Sequence, residues 1–359
     1  MFKENDKLRS KLFSWYQDNQ RVLPWRGSRD PYKIWLSEVI MQQTRVAQGT
    51  PYYLRFIEKY PTVVALAVAD EQEVLKLWEG LGYYSRGRNL LKAARQIMVE
   101  FDGTFPKDYN EVIKLKGIGP YTAAAIVSIA FKKPFAVLDG NVFRVLARLY
   151  GIEAPVNAAW ARKIFQEHAD MMLDKRRPGT FNEAMMELGA TVCLPANPLC
   201  ESCPFGFYCY AKSKNLQGVL PRKLDLKKVK TRFLHYLFTG NPEQFIIHQR
   251  QAGDIWQGLF ELPLIETKHD GILSTQEAEN NGEAITFLKP VKKMTHKLTH
   301  QRLEIVFYET DMRVLVNGHC VITDSIGYKR YPLPKPLELF LKEYLCKPVT
   351  AAEPEFQEI

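Results

Sequence analysis

Two domains are predicted, an all-α one followed by an α+β one, and three observations predict them. Apolar residues recur at helical spacing from about residue 6 to about residue 187, the period of helices that bury one face. After residue 232 the pattern changes to short runs rich in β-branched and aromatic residues, such as FLHYLFTG, QFIIHQR and RLEIVFYET, which read as strands. Between the two lies AKSKNLQGVLPRKLDLKKVKTR, which loses periodicity and gathers Lys and Arg. A length of 359 residues gives each domain enough chain for its own core. The boundaries read as a helical domain over 1–212, a basic linker over 213–231, a second domain over 232–346 and a disordered tail over 347–359.

Composition excludes some classes of function. The chain is 46% hydrophobic and 25% charged, an ordinary globular balance. No apolar run approaches the roughly 18 residues of a membrane span, and the start MFKENDKLRSKLFSW lacks a signal-peptide core. A cytoplasmic protein with no membrane partner is expected. The net charge of +9, from 49 basic and 40 acidic residues, suits a polyanion. Six cysteines in so long a chain do not make a secreted disulfide scaffold, and their crowding points to metal.

In the first domain, a helix over residues 6–20 is broken by LPWRGSRDPYKIW. Asp30 and Pro31 form an N-cap and first-turn pair, so a helix is expected from Pro31 to about Thr44. Trp35, Leu36, Val39 and Ile40 give it an apolar face, beside which stands the carboxylate Glu38. Helical pattern continues from Tyr52 to Met98, interrupted at GLGYYSRGR. There two tyrosines lie beside Arg86 and Arg88 on a Gly-bounded loop, a combination that suits base stacking with phosphate neutralisation.

Leu115 to Asn141, LKGIGPYTAAAIVSIAFKKPFAVLDGN, organises the rest. Gly117 and Gly119 permit a tight turn around Ile118, Pro120 suits the first helical position, and Ala123, Ala124 and Ala125 allow close helix packing. Free backbone N–H groups at such a turn and helix start favour an anion, so a phosphate can sit there without any side chain. Asp139, ahead of Gly140 and Asn141, can cap the helix from Val142 to about Tyr150. Further helices follow in AWARKIFQEHADMML and around Phe181–Glu187. Cys193, Cys200, Cys203 and Cys209 then form C-x6-C-x2-C-x5-C, whose four thiolates can hold zinc or a four-iron cluster; chemistry alone does not choose. Cys320 and Cys346 have no partners at ligand spacing. In the second domain LFELPLI is a further strand, and PLELFLKEYL a late helix.

The segment LKGIGPYTA resembles the helix-hairpin-helix of the endonuclease III and MutY superfamily of base-excision glycosylases, and VLDGNVFRV resembles the family's catalytic aspartate segment. WLSEVIMQQTRV closely resembles the MutY segment whose Glu protonates adenine. The resemblance runs from Arg21 to about Leu345 and implies a helix-hairpin-helix glycosylase domain followed by a nudix-like domain. It implies Glu38 as the acid delivering a proton to N7, Asp139 as the carboxylate facing the sugar cation, and Asn141 as the group orienting Asp139 and a water. It further implies Gln43 inserted into the base stack, Tyr83 as a wedge, Trp25 and Arg26 at the rim of the adenine pocket, and Glu183 within it. The cysteine spacing and position match the family's [4Fe–4S] loop. Tyr121 stands where the lyases carry a nucleophilic lysine, and a Schiff base needs an amine; it is counted with the catalytic residues of a monofunctional enzyme.

DIWQGLFELP looks like a strand of the MutY nudix-like domain, but no Gly-x5-Glu…Arg-Glu-x-x-Glu-Glu box follows, so a magnesium site and nucleoside diphosphate hydrolysis are not expected. Leu298-Thr299-His300 resembles the Phe-Ser-His loop by which MutY recognises 8-oxoguanine; Thr keeps the hydroxyl, whereas Leu weakens stacking. The implied partner is double-stranded DNA with adenine opposite 8-oxoguanine or guanine, bound by a monomer on a bacterial nucleoid. Two other readings stand beside this one: an endonuclease III-like glycosylase and lyase for oxidised pyrimidines, and a non-catalytic iron–sulfur DNA-binding protein.

Overall fold

The computed structural model describes residues 2–225, 229–274, 287–311 and 319–346. Backbone packing divides the chain into two units, Met1–Ala69 with Arg88–Leu226, and Asp70–Gly87 with Lys227–Ile359. The tail expected to be disordered, 347–359, lies outside the described residues. Among those residues no helix is long and apolar enough to cross a membrane.

The helices are α1 Phe2–Asn19, α2 Pro31–Met41, α3 Val46–Lys59, α4 Val63–Ala67, α5 Glu71–Trp78, α6 Ser85–Phe101, α7 Tyr109–Val112, α8 Pro120–Phe131, α9 Gly140–Tyr150, α10 Ala161–Met172, α11 Pro178–Thr191, α12 Tyr210–Ser213 and α13 Lys335–Tyr344. In the first unit α8 runs through the interior, buried from Thr122 to Ile129, against α2 and α11. Its small residues make that possible, and the neighbouring helices answer in kind. A Cβ at Gly179 of α11 would stand 2.8 Å from the Ser128 carbonyl oxygen, and one at Gly189 would stand 2.5 Å from the Asn141 Cβ. Close approach of α9 and α11 thus depends on glycine. α2 begins as expected, with the Asp30 carboxylate accepting from the Tyr32 N–H at 2.9 Å. It ends at Met41, short of the expected Thr44, because Gln43 adopts the left-handed region at φ +56°.

The stretch expected to be a basic linker over 213–231 packs on the first unit as far as Leu224. Leu220 is buried, its carbonyl accepts from Arg148 at 2.9 Å, and Arg222 and Leu224 bond backbone to Val156 and Asn157. The apolar Leu216 and Leu220 among the cations give that segment something to bury, whereas Val219 stays exposed.

The second unit holds a mixed sheet of β1 Lys230–Asn241, β2 Gln244–Gln249, β3 Phe260–Glu261, β4 Leu264–Thr267, β5 Leu288–Lys297, β6 Gln301–Thr310 and β7 Cys320–Thr323, in the order β3-β2-β1-β6-β5, with β4 on β1 and β7 on β2. β1 and β6 run parallel from Lys230↔Gln301 to Thr239↔Thr310, and β5 returns antiparallel to β6 with a bulge between Pro290 and Lys292. Helix α13 covers one face, stacking Phe340 on Phe307 at 3.9 Å between ring centroids. DIWQGLFELP is mostly a turn rather than a strand: only Phe260 and Glu261 are extended, because Trp256 (φ +60°) and Gly258 (φ +80°) are left-handed. The lysine-rich, proline-containing LKPVKKMTHK forms β5 at the sheet edge, where unpaired backbone and charged side chains are tolerated.

Candidate active site

In the first unit a cavity of about 490 Å³ opens between α2, α8, α9 and α11 and is lined by Glu38, Tyr121, Asp139 and Asn141 together with Trp25, Arg26 and Glu183. Each element brings its group there for a local reason. Glu38 lies on α2 between the buried Ser37 and Val39, so the apolar face that fixes the helix also draws the carboxyl inward. Tyr121, in the first turn of α8, donates its hydroxyl hydrogen to Glu38 across a separation of 83 residues in sequence. Burial pushes the Glu38 carboxyl up to about 7; the Tyr121 hydrogen bond opposes this, and the nearby Asp139 and Glu183 add to it.

Asp139 is both cap and cavity wall. One oxygen accepts from the Val142 N–H at 2.7 Å, starting α9, and the other accepts from the Asn141 side-chain amide at 2.8 Å. Burial raises this carboxyl, and the two backbone N–H groups and the Asn141 amide counteract it. Asn141 is held in turn: Arg144 donates to its side-chain oxygen at 2.8 Å and to the Gly189 carbonyl at 2.7 Å. Arg144 also reaches the Cys193 carbonyl oxygen at 2.6 Å, so a run of hydrogen bonds joins Asp139 to the first cysteine of the cluster.

On the opposite wall Trp25 meets Tyr53 edge to face at 5.2 Å. Arg26 stands 3.8 Å from Glu183 and donates to Glu187 at 3.1 Å. Nε and Nη1 of Arg26 are buried without a hydrogen-bond partner, and the guanidinium lies over the Tyr16 ring at 5.4 Å. Arg21 clamps Glu187 with Nε at 2.6 Å and Nη2 at 3.1 Å. Burial would raise Glu187, but the Arg21 hydrogen bonds and the Arg26 charge outweigh it and hold this carboxyl below its ordinary range.

Gln43 and Tyr83 share a signature: each is exposed and left-handed, at φ +56° and +47°, uncommon for bulky residues and found where function holds backbone strain. The tyrosine pair divides. Tyr83 is exposed, whereas Tyr84 is buried and offers no stacking surface. Arg86 is turned back from the expected phosphate role; its guanidinium donates to the Gly82 carbonyl at 3.3 Å and lies over the Trp78 ring at 5.2 Å, because α6 starts at Ser85 and carries the side chain inward. In the second unit Leu298-Thr299-His300 is the tip of the β5–β6 hairpin, closed by the Leu298 N–H on the Gln301 carbonyl at 2.8 Å. Leu298 is half-buried against the core, Thr299 and His300 are exposed, and the Thr299 and Tyr83 hydroxyls are hydrogen-bonded to each other.

The four cysteines line a small pocket with Arg148, Gly206 and Lys212. Arg148, 3% exposed, donates to the Cys193 sulfur at 3.4 Å and to the Leu194 and Pro195 carbonyls. Burial pushes the Cys203 thiol up to about 12. A Cβ at Gly206 would stand 3.0 Å from the Cys200 carbonyl oxygen, a tight fit that favours glycine there. Among the described residues no three His, Cys, Asp or Glu side chains are gathered as for one metal ion. Sequence reading missed Arg144 and Arg148; their separation of four residues, one helical turn, on the helix that Asp139 caps is the signal that could have found them.

Comparison with known proteins follows this layout. Residues 36–168 match the family described as HhH-GPD superfamily base excision DNA repair protein, and residues 235–343 match the NUDIX domain family. The chain is 32% identical to the adenine DNA glycosylase of Buchnera aphidicola subsp. Baizongia pistaciae, over 94% of this chain and 95% of that one. It is 44% identical to the longer adenine DNA glycosylase of Rattus norvegicus, over 62% of this chain and 45% of that one. A thermostable thymine-DNA glycosylase structure superposes with a TM-score of 0.55 at 28% identity, covering 59% of this chain and 98% of that one.

The turn before α8 makes different demands on its two glycines. Gly117 is left-handed at φ +78° and its Cβ would stand 2.6 Å from the Asn89 Cβ, whereas Gly119 is extended with nothing within 4 Å. Gly117→Ala is expected to lower the stability of the helical unit by about 1–3 kcal/mol, and Gly119→Ala to change it by less than about 0.5 kcal/mol. Chemical denaturation followed by the helical signal checks the contrast.

Proposed function

The chain belongs to the adenine DNA glycosylase family, and from that premise we propose that it excises adenine from duplex DNA, opposite 8-oxoguanine or guanine, by acid-assisted hydrolysis of the glycosidic bond in base excision repair. The observation that carries the reading is geometric: Glu38, drawn inward by its helix, accepts a hydrogen bond from Tyr121 in one cavity with Asp139, and burial raises its pKa.

Adenine is a poor leaving group. Glu38 gives its proton to N7 as the bond from C1′ to N9 breaks and the electron pair leaves with the base. The sugar becomes oxocarbenium-like, and the Asp139 carboxylate stabilises it or traps it covalently before water adds at C1′. Asn141 keeps Asp139 oriented. The division of labour is that of glycoside hydrolysis, one acid for the leaving group and one carboxylate for the cation. Among the described residues no lysine lines the cavity, which supports hydrolysis without Schiff-base strand cleavage.

The base must leave the helix before its reacting atoms are accessible. Gln43 and Tyr83, both exposed and strained, are the groups to enter the stack, and open space at Gly119 favours a phosphate against the N–H groups that begin α8. Trp25, Arg26 and Glu183 would enclose the adenine. Thr299 and His300 would read the opposite base, with Tyr83 already bonded to Thr299.

Cys193, Cys200, Cys203 and Cys209 would hold a [4Fe–4S] cluster. Its fit rests on a pocket that gathers four thiols and two cations, Arg148 and Lys212, which offset a cluster's negative charge. Hydrolysis moves no net electrons, so the cluster supplies no bond-making step and fixes the loop.

Under single-turnover conditions the wild-type protein should release adenine and leave an abasic strand, with no product that borohydride traps. Glu38→Gln cannot donate a proton and Asp139→Asn lacks the charge facing the cation, so each should reduce excision by at least about 100-fold while keeping duplex binding. Excision by Glu38→Gln near the wild-type rate would return that residue to a structural role. For the metal, protein purified without oxygen should be brown and contain iron. Colourless, zinc-loaded, fully active protein would sink the cluster.

A further inference from the structure

DIWQGLFELP has no part in the chemistry so far, yet it is a densely hydrogen-bonded turn of the second unit. The Arg250 N–H donates to the Leu259 carbonyl and the Gly258 N–H to the Arg250 carbonyl, both at 2.8 Å, and the Arg250 Nε reaches the Ile255 carbonyl at 2.7 Å. Asp254 takes two bonds from Arg232 at 2.7 Å and caps the Ile255 N–H at 2.7 Å. Glu261, 2% exposed, accepts from Arg250 at 2.7 Å and from the Tyr236 hydroxyl at 2.8 Å. Both carboxylates are therefore consumed by the two arginines. What the network holds in place is Trp256, at φ +60°.

That ring faces the hairpin. Its centroid lies 6.0 Å from the ring of His296, a half-buried residue of β5. Alternation along a strand puts Met294, His296 and Leu298 on one side and Thr295, Lys297 and Thr299 on the other. Met294 and Leu298 pack with Trp256 on the same core, and the opposite set is exposed. The hairpin tip thus has an inner side resting on the Trp256 cluster and an outer side carrying Thr299, which meets Tyr83.

We propose that Trp256, fixed by the Arg232–Asp254–Arg250–Glu261 network, is a positioning residue that sets Thr299 and His300 of the β5–β6 hairpin for reading the base opposite adenine. This rests on the reading of that hairpin as the recognition element. The nudix-derived turn serves as an anvil for the hairpin instead of a metal-binding loop. Trp256 touches no reacting group, so it governs discrimination and leaves the acid and carboxylate alone.

The test uses the full chain with Trp256→Ala, Trp256→Phe and, as reference, Thr299→Ala with His300→Ala. Binding and single-turnover excision are compared on adenine·8-oxoguanine and adenine·guanine duplexes at one salt concentration, since the phosphate contribution otherwise swamps the difference. Trp256→Ala should lower the preference for 8-oxoguanine by roughly fivefold, the scale of one misplaced hydrogen bond, with the saturating rate opposite guanine unchanged, and Trp256→Phe should restore the preference. An unchanged preference in folded Trp256→Ala, when the hairpin variant loses it, would overturn the positioning role and leave the hairpin reading standing. An unchanged preference in the hairpin variant would overturn both. Should Trp256→Ala not fold, His296→Ala removes the same contact from the hairpin side; a lowered preference there supports the proposal and an unchanged one overturns it.

Discussion

A carboxyl buried beside a second carboxyl is the constraint on which the first unit depends. Glu38 and Asp139 share one cavity, and in a medium that solvates charge poorly they resist ionising together. The surrounding groups separate their fates. Tyr121 is the only hydrogen-bond donor given to Glu38 among the described residues, and burial keeps the proton. Asp139 receives a backbone N–H, the Asn141 amide and the field of Arg144, which favour the charged form. Burial raises both carboxyls, but Asp139 has more hydrogen-bond donors working against that rise than Glu38 has, the asymmetry that acid-assisted departure of a base calls for.

Much of the helical packing serves that cavity. α8 must pass close to α2 for Tyr121 to reach Glu38, and its alanines permit it. α11 must pass close to α9, and Gly189 permits that. The cysteine loop then closes the outer side, through Arg144 to Asn141 and through Arg148 to Leu194, Pro195 and the Cys193 sulfur. A loop built on four cysteines is thus tied by the half-buried Arg144 and the buried Arg148 to the helix that Asp139 caps.

Local chemistry was readable in the sequence, and contacts between distant segments were not. Asp30 with Pro31 announces the start of α2 and Asp139 announces α9, because a cap is a relation between residues two or three apart. The Glu38 contact with Tyr121 leaves no periodic mark, and only resemblance to a family brought the two together in advance. Burial misled at the tyrosine pair: adjacent residues at a helix entry point in different directions, so Tyr83 is exposed and Tyr84 is not. β5 escaped notice because edge strands carry lysine and proline for reasons opposed to strand propensity. The turn at Trp256 is expected to be a strand by resemblance, and the arginines that brace its bend, Arg232 of β1 and Arg250 just after β2, are not legible from that segment.

Burial keeps a proton on Glu38, and Tyr121 tempers that effect. The most direct test is the pH dependence of the single-turnover base-release rate in wild-type protein and in Tyr121→Phe. Glu38 acts in its protonated form, so the rate should fall as pH rises through about 7. Tyr121 stabilises the carboxylate and so lowers its pKa; without that hydrogen bond the alkaline limb should move to higher pH. A rate independent of pH between about 6 and 9, or a limb that moves to lower pH in Tyr121→Phe, would contradict the account.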